Sequence, residues 1–414
     1  MEVMEVIHGV CAGLDVHKDN VVACVRRITL GRVEEQVRTF ATTTTGLLEL
    51  GDWLEEGRVT IAAMESTGVY WKPVWNLLEG RLGLMLVNAR DVKQVPGRKT
   101  DVKDCQWIAQ LLACGLLKAS FVPPTPQREL RDLTRTRTSL QQDKSRAANR
   151  LQKTLEDANI KLGSVASDVL GVSGREMIRA LIEGGKTPQE MADLARQRLR
   201  LKIPQLKEAL TGRVSEHHRF MLKLLLDEVE HYERQVGLLE ERIEAVMSPL
   251  EKAAVETLVE IPGIDRRSAQ NILAEIGTDM SRFPTAGHLA SWAGLSPGNN
   301  QSAGKRRSGR MMEGNRWLKS TLNQCGWAAS HTKDSYFKAQ HRRIASRRGV
   351  KRATMAVAHS LLCVCWELLK HGTMYEDLGP DYFNTLDQEK AKRSLVKRLE
   401  KLGYSVVLEK RDAA

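Results

Sequence analysis

Four carboxylates in the first quarter of the chain have positions suited to holding metal ions. Asp15 falls inside an apolar stretch, and Glu65 ends another one, just before a Ser-Thr-Gly turn. Asp101 and Asp104 stand three residues apart at the start of a predicted helix, and we predict that both occupy its inward-facing side. Converging acids repel one another unless cations neutralise them, and carboxylate oxygens suit Mg²⁺ or Mn²⁺. The set therefore predicts a divalent-metal site able to support phosphoryl transfer.

Each of these acids alone also has an ordinary interpretation. Asp101 or Asp104 fits an acid that the helix dipole stabilises at the start of a helix. Asp15 fits a strand-end residue with a satisfied side chain. Metal binding is favoured by the four together, because an unpaired charge inside an apolar strand is costly to bury.

A loop rich in glycine and asparagine in the last third of the chain holds a candidate nucleophile. Ser302 lies there before an Ala-Gly pair, and a serine that faces cations can attack phosphorus. By its type alone, Ser296 or Ser308 is equally eligible. Four cations able to hold phosphates follow Ser302: Lys305, Arg306, Arg307 and Arg310.

The positive charge of the chain is concentrated around this loop. Residues 302–352 contain fourteen Lys and Arg against Glu313 and Asp334, so they carry the whole formal net charge of +12. Such concentration is typical of a surface that binds the phosphates of DNA or RNA. The alternative is a solvated basic face, although solvated faces usually interleave both signs.

The first part of the chain has the pattern of an α/β domain that would position the acids. Apolar alternation predicts three successive strands, then helix, strand, helix and strand, in an RNase H-like order. A proline-rich segment, 122–127, closes this domain. The predicted strands cover 10–16, 20–27, 33–40, 58–65 and 82–88, and the predicted helices 44–56 and 69–80.

The middle of the chain, from Arg128 to about Leu250, is predicted to be helical. Its second half has apolar residues at steps of four or three, a heptad-like seam. This pattern fits an antiparallel coiled-coil hairpin, a dimerisation arm or a monomeric bundle. The seam comprises Met221, Leu225, Val229, Tyr232, Val236, Leu239, Ile243 and Val246.

The segment around Gly263 resembles a helix-hairpin-helix. Gly263 permits a tight turn whose backbone N–H groups, with the next helix N-terminus, can hold a phosphate. Asp265 stands where a second glycine is usual, so a plain turn between two helices is the alternative.

Several classes of protein are disfavoured. No apolar run reaches the length of a membrane span, since His359, Ser360 and Glu367 interrupt the nearest one, so we expect no membrane partner. The N-terminus has no basic start of a signal peptide, and the seven cysteines form no CxxC pair. We therefore expect a protein of the reducing cytosol, and neither a secreted nor a disulfide-stapled one.

Several motifs in this order resemble the DEDD, RuvC-like transposases of the IS110 insertion-sequence family. GLDVHKD surrounds Asp15, AMESTGVYW surrounds Glu65, and KTDVKDCQWIAQLL contains Asp101 and Asp104. GVSGREMIRALIEG, IPGIDRRSAQNILAEIG and QSAGKRRSGRMMEGNRWLK follow, so the resemblance spans about 13–372.

The resemblance implies a cytoplasmic bacterial recombinase that works at the nucleoid, where it excises and inserts a mobile element. It implies a structured bridge RNA that pairs with target and donor DNA, and dimers or tetramers in which the RuvC-like domain of one subunit meets the transposase domain of another. Ser302 matches the nucleophile that forms a phosphoserine link to DNA, and the four acids match the Mg²⁺ (or Mn²⁺) tetrad. A phosphoserine link keeps the phosphodiester energy, so strands can rejoin without ATP, and the sequence has no GxxxxGK[ST] loop.

Cys105 and Lys319 depart from the family pattern, where alanine and arginine are commoner, and neither departure touches the proposed chemistry. The predicted nucleic-acid contacts come from the helix-hairpin-helix turn, the basic loop and the last motif. They are Gly263, Lys305, Arg306, Arg307, Arg310, Asn315, Arg316 and Lys319.

The sequence thus predicts a RuvC-like domain (1–125), a helical coiled-coil region (126–250), a transposase domain with the helix-hairpin-helix and serine loop (251–372) and a C-terminal tail (373–414). Two other functions stay open. One is a metal-dependent nuclease or junction resolvase in which Ser302 is structural, and the other is a non-catalytic scaffold that binds nucleic acid.

Overall fold

Two compact units, Met1–Pro123 and Pro124–Ala414, make up the chain. The computed structural model describes residues 6–29, 31–66, 68–89, 92, 104–297, 300–302, 305–308, 311, 313–386 and 388–407. Each unit has its own buried core, and each is described here separately.

The first unit is built on a five-stranded mixed sheet with the order β3-β2-β1-β4-β5. β1 pairs antiparallel with β2 and parallel with β4, β2 pairs antiparallel with β3, and β4 pairs parallel with β5. The strands are β1 (Val10–Val16), β2 (Asn20–Thr29), β3 (Arg32–Ala41), β4 (Ile61–Glu65) and β5 (Gly83–Val87).

Helices cover both faces of this sheet, which is why its central strands are apolar on both sides. Helices α1 (Thr44–Glu56) and α2 (Trp71–Leu78) pack on the face that carries Ala12 and Leu14. Helix α3 (Asp104–Ala113) packs on the opposite face, with Cys11. The five predicted strands and both predicted helices are confirmed, with ends that differ by up to three residues.

Two long helices form the spine of the second unit. Helix α4 (Thr125–Asp157) and helix α9 (Glu216–Val246) lie side by side and antiparallel. Their direction follows from two ion pairs, Arg150 with Glu228 and Lys144 with Glu233, because the partner's number rises as the α4 number falls. The antiparallel arrangement was one of the three that the sequence left open.

A small helical core surrounds one end of the spine. Leu151 and Leu155 of α4 and Leu222 of α9 are buried there against the helices between them in the chain. These helices are α5 (Leu162–Val165), α6 (Val172–Glu183), α7 (Pro188–Ala192) and α8 (Ile203–Ala209), with a 3₁₀ helix at Gln197–Lys202.

A larger helical core surrounds the other end of the spine, where Leu130 of α4 meets Ile243 of α9. A short β-hairpin, β6 (Asn300–Ser302) and β7 (Lys305–Ser308), leaves this core between two of its helices. The helices are α10 (Pro249–Val259), α11 (Arg266–Ile276), α12 (Ala286–Trp292), α13 (Arg316–Ala329), α14 (Tyr336–Arg348) and α15 (Val350–His371).

Helix α15 contains an 18-residue window that is long and apolar enough to cross a membrane, by length and composition alone. Half of that window is buried inside the protein, where Leu361, Leu362 and Trp366 join the larger core. Its hydrophobicity is therefore that of a core helix.

The C-terminal segment adds helices α16 (Tyr382–Leu386) and α17 (Gln388–Lys401). The pattern of YSVVLE (404–409) favours an edge strand, and this prediction is wrong for residues 404–407, which have no regular structure. The side chains of Tyr404 and Val407 are exposed. Within the described residues, this segment therefore packs against no sheet that would hold it as a strand.

Candidate functional site

Asp15 and Glu65 lie at the carboxyl ends of two adjacent parallel strands. The β1–β4 register pairs Leu14 with Met64, so Asp15 and Glu65 are the next positions in line. Side chains alternate along a strand, and Ala63 belongs to the face that α3 covers. The two carboxylates therefore point to the same side of the sheet at the same edge.

Asp15 has a histidine beside it that sequence reasoning missed. Its Oδ2 lies 3.1 Å from Nε2 of His17, and the Asp15 side chain keeps about a quarter of its surface exposed, at 25%. The signal was present in the DVH triplet, since positions two apart at a strand end share a face. His17 can hold the Asp15 carboxylate in one orientation.

Helix α3 runs antiparallel to β1 and brings its start to the same edge. The backbone N–H of Ile7 donates to the Ala113 carbonyl at 2.9 Å, and the Cys11 thiol donates to the Ala109 carbonyl at 3.4 Å. A Cβ on Gly13 would lie 2.1 Å from the Cys105 carbonyl oxygen, so only glycine lets the helix sit this close. Asp104, the residue before Cys105, thus begins α3 near the strand ends.

The expected inward orientation of Asp104 is wrong. The residue is exposed, because the buried side of α3 begins one residue later, at Cys105, and Asp104 lies at the rim of the contact. Asp101 lies outside the described residues. Among the described residues, no three His, Cys, Asp or Glu side chains are gathered as a ready metal site. The oxygen donors themselves suit Mg²⁺ or Mn²⁺.

Ser302 is the last residue of β6, at the tip of the β-hairpin. Its backbone pairs with that of Lys305 across the two-residue tip, and Gln301 pairs with Arg306. Sequence reasoning expected a loop here, because the segment lacks the apolar alternation of a buried strand. The hairpin places the serine directly opposite the first cation of β7.

Three of the predicted cations of this region belong to β7, and two others lie in the first turn of α13. Lys305, Arg306 and Arg307 are on β7, and Arg310 lies outside the described residues. Arg316 places its guanidinium 5.1 Å from the centre of the Trp317 ring, and Lys319 follows on the same helix. The hairpin and the helix that leaves it therefore carry these basic residues on one continuous segment.

Asn315 caps α13 and fixes the point where the hairpin segment rejoins the core. Its Oδ1 accepts hydrogen bonds from the backbone N–H groups of Trp317 and Leu318, both at 3.1 Å. Its Nδ2 donates to Oε2 of Glu275 at 2.6 Å. Both ends of this side chain therefore have structural partners, and a direct contact of Asn315 with nucleic acid stays a prediction.

Glu275 is a buried carboxylate that sequence reasoning missed. It is 2% exposed and receives a two-pronged hydrogen bond from Arg135, at 2.7 and 2.8 Å. Arg131 also contacts it, and burial lowers the pKa of the Arg131 guanidinium to about 10, a shift that the Glu275 charge opposes. This cluster ties α4, α11 and the start of α13 together.

The turn at Gly263 joins α10 to α11 against α13. Gly263 has φ of +87°, and a Cβ there would lie 2.5 Å from the backbone nitrogen of Ala329. Asp265 caps α11 by accepting from the N–H of Ser268 at 2.8 Å. Gly263 thus has a packing role. The Asp265 side chain already accepts from one backbone N–H group at the start of α11. Phosphate binding by this turn stays a prediction.

Two family models match the chain. One, a DEDD transposase model of the IS110 group, matches residues 12–160. The other, described as transposase IS116/IS110/IS902 family, matches residues 255–342. The chain belongs to the IS110 family of transposases.

A curated relative agrees with this assignment. The insertion element IS110 uncharacterized 43.6 kDa protein of Streptomyces coelicolor is 26% identical over 311 residues, which cover 69% of this chain and 74% of the relative. The protein is therefore a DNA transposase, an enzyme, and DNA is its partner.

The matched segments coincide with the two candidate regions of the transposase. The first contains all four acids, and the second contains Ser302, the cations of the hairpin and Glu275. Within the described residues, Asp15 and Glu65 lie at the ends of their strands, and Ser302 ends β6 at the hairpin tip.

Proposed function

We propose that this transposase cuts and rejoins DNA through a covalent link to Ser302. The observation that carries the proposal is the position of Ser302 at the tip of the β6–β7 hairpin, paired with Lys305. A hairpin tip can enter a groove of DNA, and a lysine opposite the serine can neutralise the phosphate under attack.

In this reaction the Ser302 Oγ forms a bond to phosphorus as it gives up its proton. The ester bond between phosphorus and the leaving sugar oxygen breaks, and that oxygen takes a proton to become a hydroxyl. Rejoining is the reverse attack by a sugar hydroxyl on the phosphoserine, which regenerates the Ser302 hydroxyl. The number of ester bonds is constant, so no ATP is needed.

The acids of the first unit would hold Mg²⁺ or Mn²⁺ for the same reaction. Asp15 and Glu65 share one face and one edge of the sheet, which fits a pair of oxygen ligands. Asp104 begins the helix at that edge, and Asp101 completes the proposed set. A bound ion supplies charge stabilisation to the phosphate under attack, while His17 orients Asp15.

The strand order of the first unit supports a RuvC-like, RNase H-like fold. Three antiparallel strands followed by two parallel ones, with helices on both faces, match the order proposed from sequence. In that arrangement the acids at the ends of β1 and β4 form the catalytic edge.

We further propose that a bridge-type guide RNA selects the DNA sites and that the active form is a homo-oligomer, a dimer or tetramer, in the bacterial cytoplasm. A basic stretch with few opposing acids binds the phosphate backbone of DNA without reading its base sequence. Base pairing by a guide RNA can therefore supply the choice of sites. Exposed apolar side chains on α9, Phe220, Leu224 and Leu238, support contacts between subunits.

Trapping of the covalent link tests the proposed nucleophile. Wild-type protein, labelled DNA spanning an element boundary, the flanking non-coding RNA and Mg²⁺ are incubated and then denatured. We expect labelled DNA to stay on the wild-type protein and on the Ser308→Ala control, and to be absent from Ser302→Ala. A link that survives Ser302→Ala would reject the assignment and favour the metal-only nuclease. Absence of any strand breakage by wild type would favour the scaffold.

A further inference from the structure

A groove of about 920 Å³ opens at the base of the serine hairpin. Pro297 and Met311 form one wall, and their backbones pair across the two chain segments that lead to the hairpin. The opposite wall is the junction of α14 and α15. Whatever occupies this groove therefore lies next to the hairpin that carries Ser302.

Three cations line the wall at the α14–α15 junction: Arg348 at the end of α14, and Lys351 and Arg352 in the first turn of α15. All three are exposed. None has an ion pair with a carboxylate among the residues that the structure describes. Positive side chains without such partners, gathered at one groove, are available to hold an anionic ligand.

The position of Lys351 and Arg352 on α15 is electrostatically unfavourable without an anion. Cations in the first turn of a helix oppose the positive end of its dipole, and this helix has 22 residues. Gly349, at the N-cap, has no side chain to accept from the first amides. A bound phosphate would relieve both problems at once.

The rest of the groove lining, here called the floor, carries no cationic side chains among the described residues. It is formed by apolar and neutral groups, among them Met355, Ala356 and His359, and burial lowers the pKa of the His359 imidazole. Gln340 also lines the floor. Its Nε2 donates to Ser360 Oγ at 2.7 Å, while its Oε1 is buried without a hydrogen-bond partner among the described residues. A buried acceptor without a partner is costly, and a ligand donor that reached it would remove this cost.

We propose that this groove binds the DNA strand on one side of the phosphate that Ser302 attacks. The cations hold successive phosphates along the wall, and a base with an amino group faces Gln340 on the floor. A free inorganic anion would satisfy the wall alone, whereas a nucleotide satisfies both parts. The proposal takes the identity of the strand as DNA from the proposed function of Ser302.

The salt dependence of DNA binding tests this assignment. Lys351→Gln with Arg352→Gln is compared with Lys207→Gln and Lys223→Gln, two exposed cations of α8 and α9 that give the same change in charge. The full-length proteins bind a fluorescent DNA of mixed sequence over a range of salt. We expect the slope of log K against log salt to fall by about two in the groove variant, one for each lost phosphate contact, and to be unchanged in the control.

A third variant separates the floor from the wall. Gln340→Leu removes the acceptor and no charge, so we expect weaker DNA binding at fixed salt with the same slope. Circular dichroism of every variant checks that the helices are retained.

The binding measurements are made in a Ser302→Ala background, so that they do not depend on chemistry. A changed slope there supports the groove even if the covalent link maps to another residue. Equal slopes in the groove and control variants would overturn the proposal, and so would a slope that changes with RNA of the same sequence and not with DNA. The trapping experiment would be unaffected by either failure.

Discussion

Glu275 shows how much of the candidate site depends on single side chains distant in the chain. It lies near the end of α11 (Arg266–Ile276), where a carboxylate is normally expected to be exposed to solvent. In the structure it is buried because Arg135, 140 positions away, and Asn315 both donate to it. No periodicity in the sequence reports such a partnership, so only the structure identifies Glu275 as the residue that anchors the hairpin segment.

Glu275→Gln is expected to lower the free energy of unfolding by roughly 3 kcal/mol, because it leaves buried guanidinium groups without their counter-charge. It is also expected to reduce the yield of the covalent link, since Asn315 loses a charged partner at the start of α13. Denaturant unfolding and link yield are measured beside Glu241→Gln, an exposed acid on α9. Equal behaviour of the two variants would show that the cluster does not position the hairpin.

The elements were easier to predict than the contacts between them. Strands β1 to β5 and helices α1 and α2 are where apolar alternation and helical periodicity predict them, because their buried faces determine the pattern. The β6–β7 hairpin was missed, since a polar two-stranded ribbon gives no such pattern. The register of β1 against β4 and the direction of α3 also cannot be read from the chain, yet they bring Asp15, Glu65 and Asp104 to one edge.

Gly13→Ala tests the contact that sets this edge. An added Cβ would lie 2.1 and 2.5 Å from backbone atoms of Cys105 and Ala109, so α3 must move away from β1. We expect the free energy of unfolding to fall by about 1–3 kcal/mol, the usual cost of overpacking, and the link yield to fall with it.

Gly9→Ala is the matched control for this change. Its Cβ would have its nearest neighbour at 3.9 Å and would need no movement. We expect its thermal unfolding and link yield to match those of the wild type. A Gly13→Ala protein as stable as Gly9→Ala would contradict the close packing of α3 on β1.

The candidate acids and the candidate serine belong to different compact units of the chain. Asp15, Glu65 and Asp104 belong to the first unit, and Ser302 with the concentrated positive charge belongs to the second. The charge distribution was readable from sequence because it needs only counting, and it predicts that the second unit binds the phosphates of nucleic acid. The account requires that both units, from one subunit or from two, act on a single phosphate.

A phosphorothioate at the cleaved position tests this requirement most directly. Sulfur in place of a non-bridging oxygen contacts Mg²⁺ poorly and Mn²⁺ better, because it is the softer ligand. The yield of DNA linked to Ser302 is measured for each diastereomer in each metal, with wild type and with Asp15→Asn. We predict that one diastereomer gives little link in Mg²⁺, that Mn²⁺ restores it, and that Asp15→Asn abolishes the restoration. Equal yields from both diastereomers in Mg²⁺, unchanged by Asp15→Asn, would contradict the account.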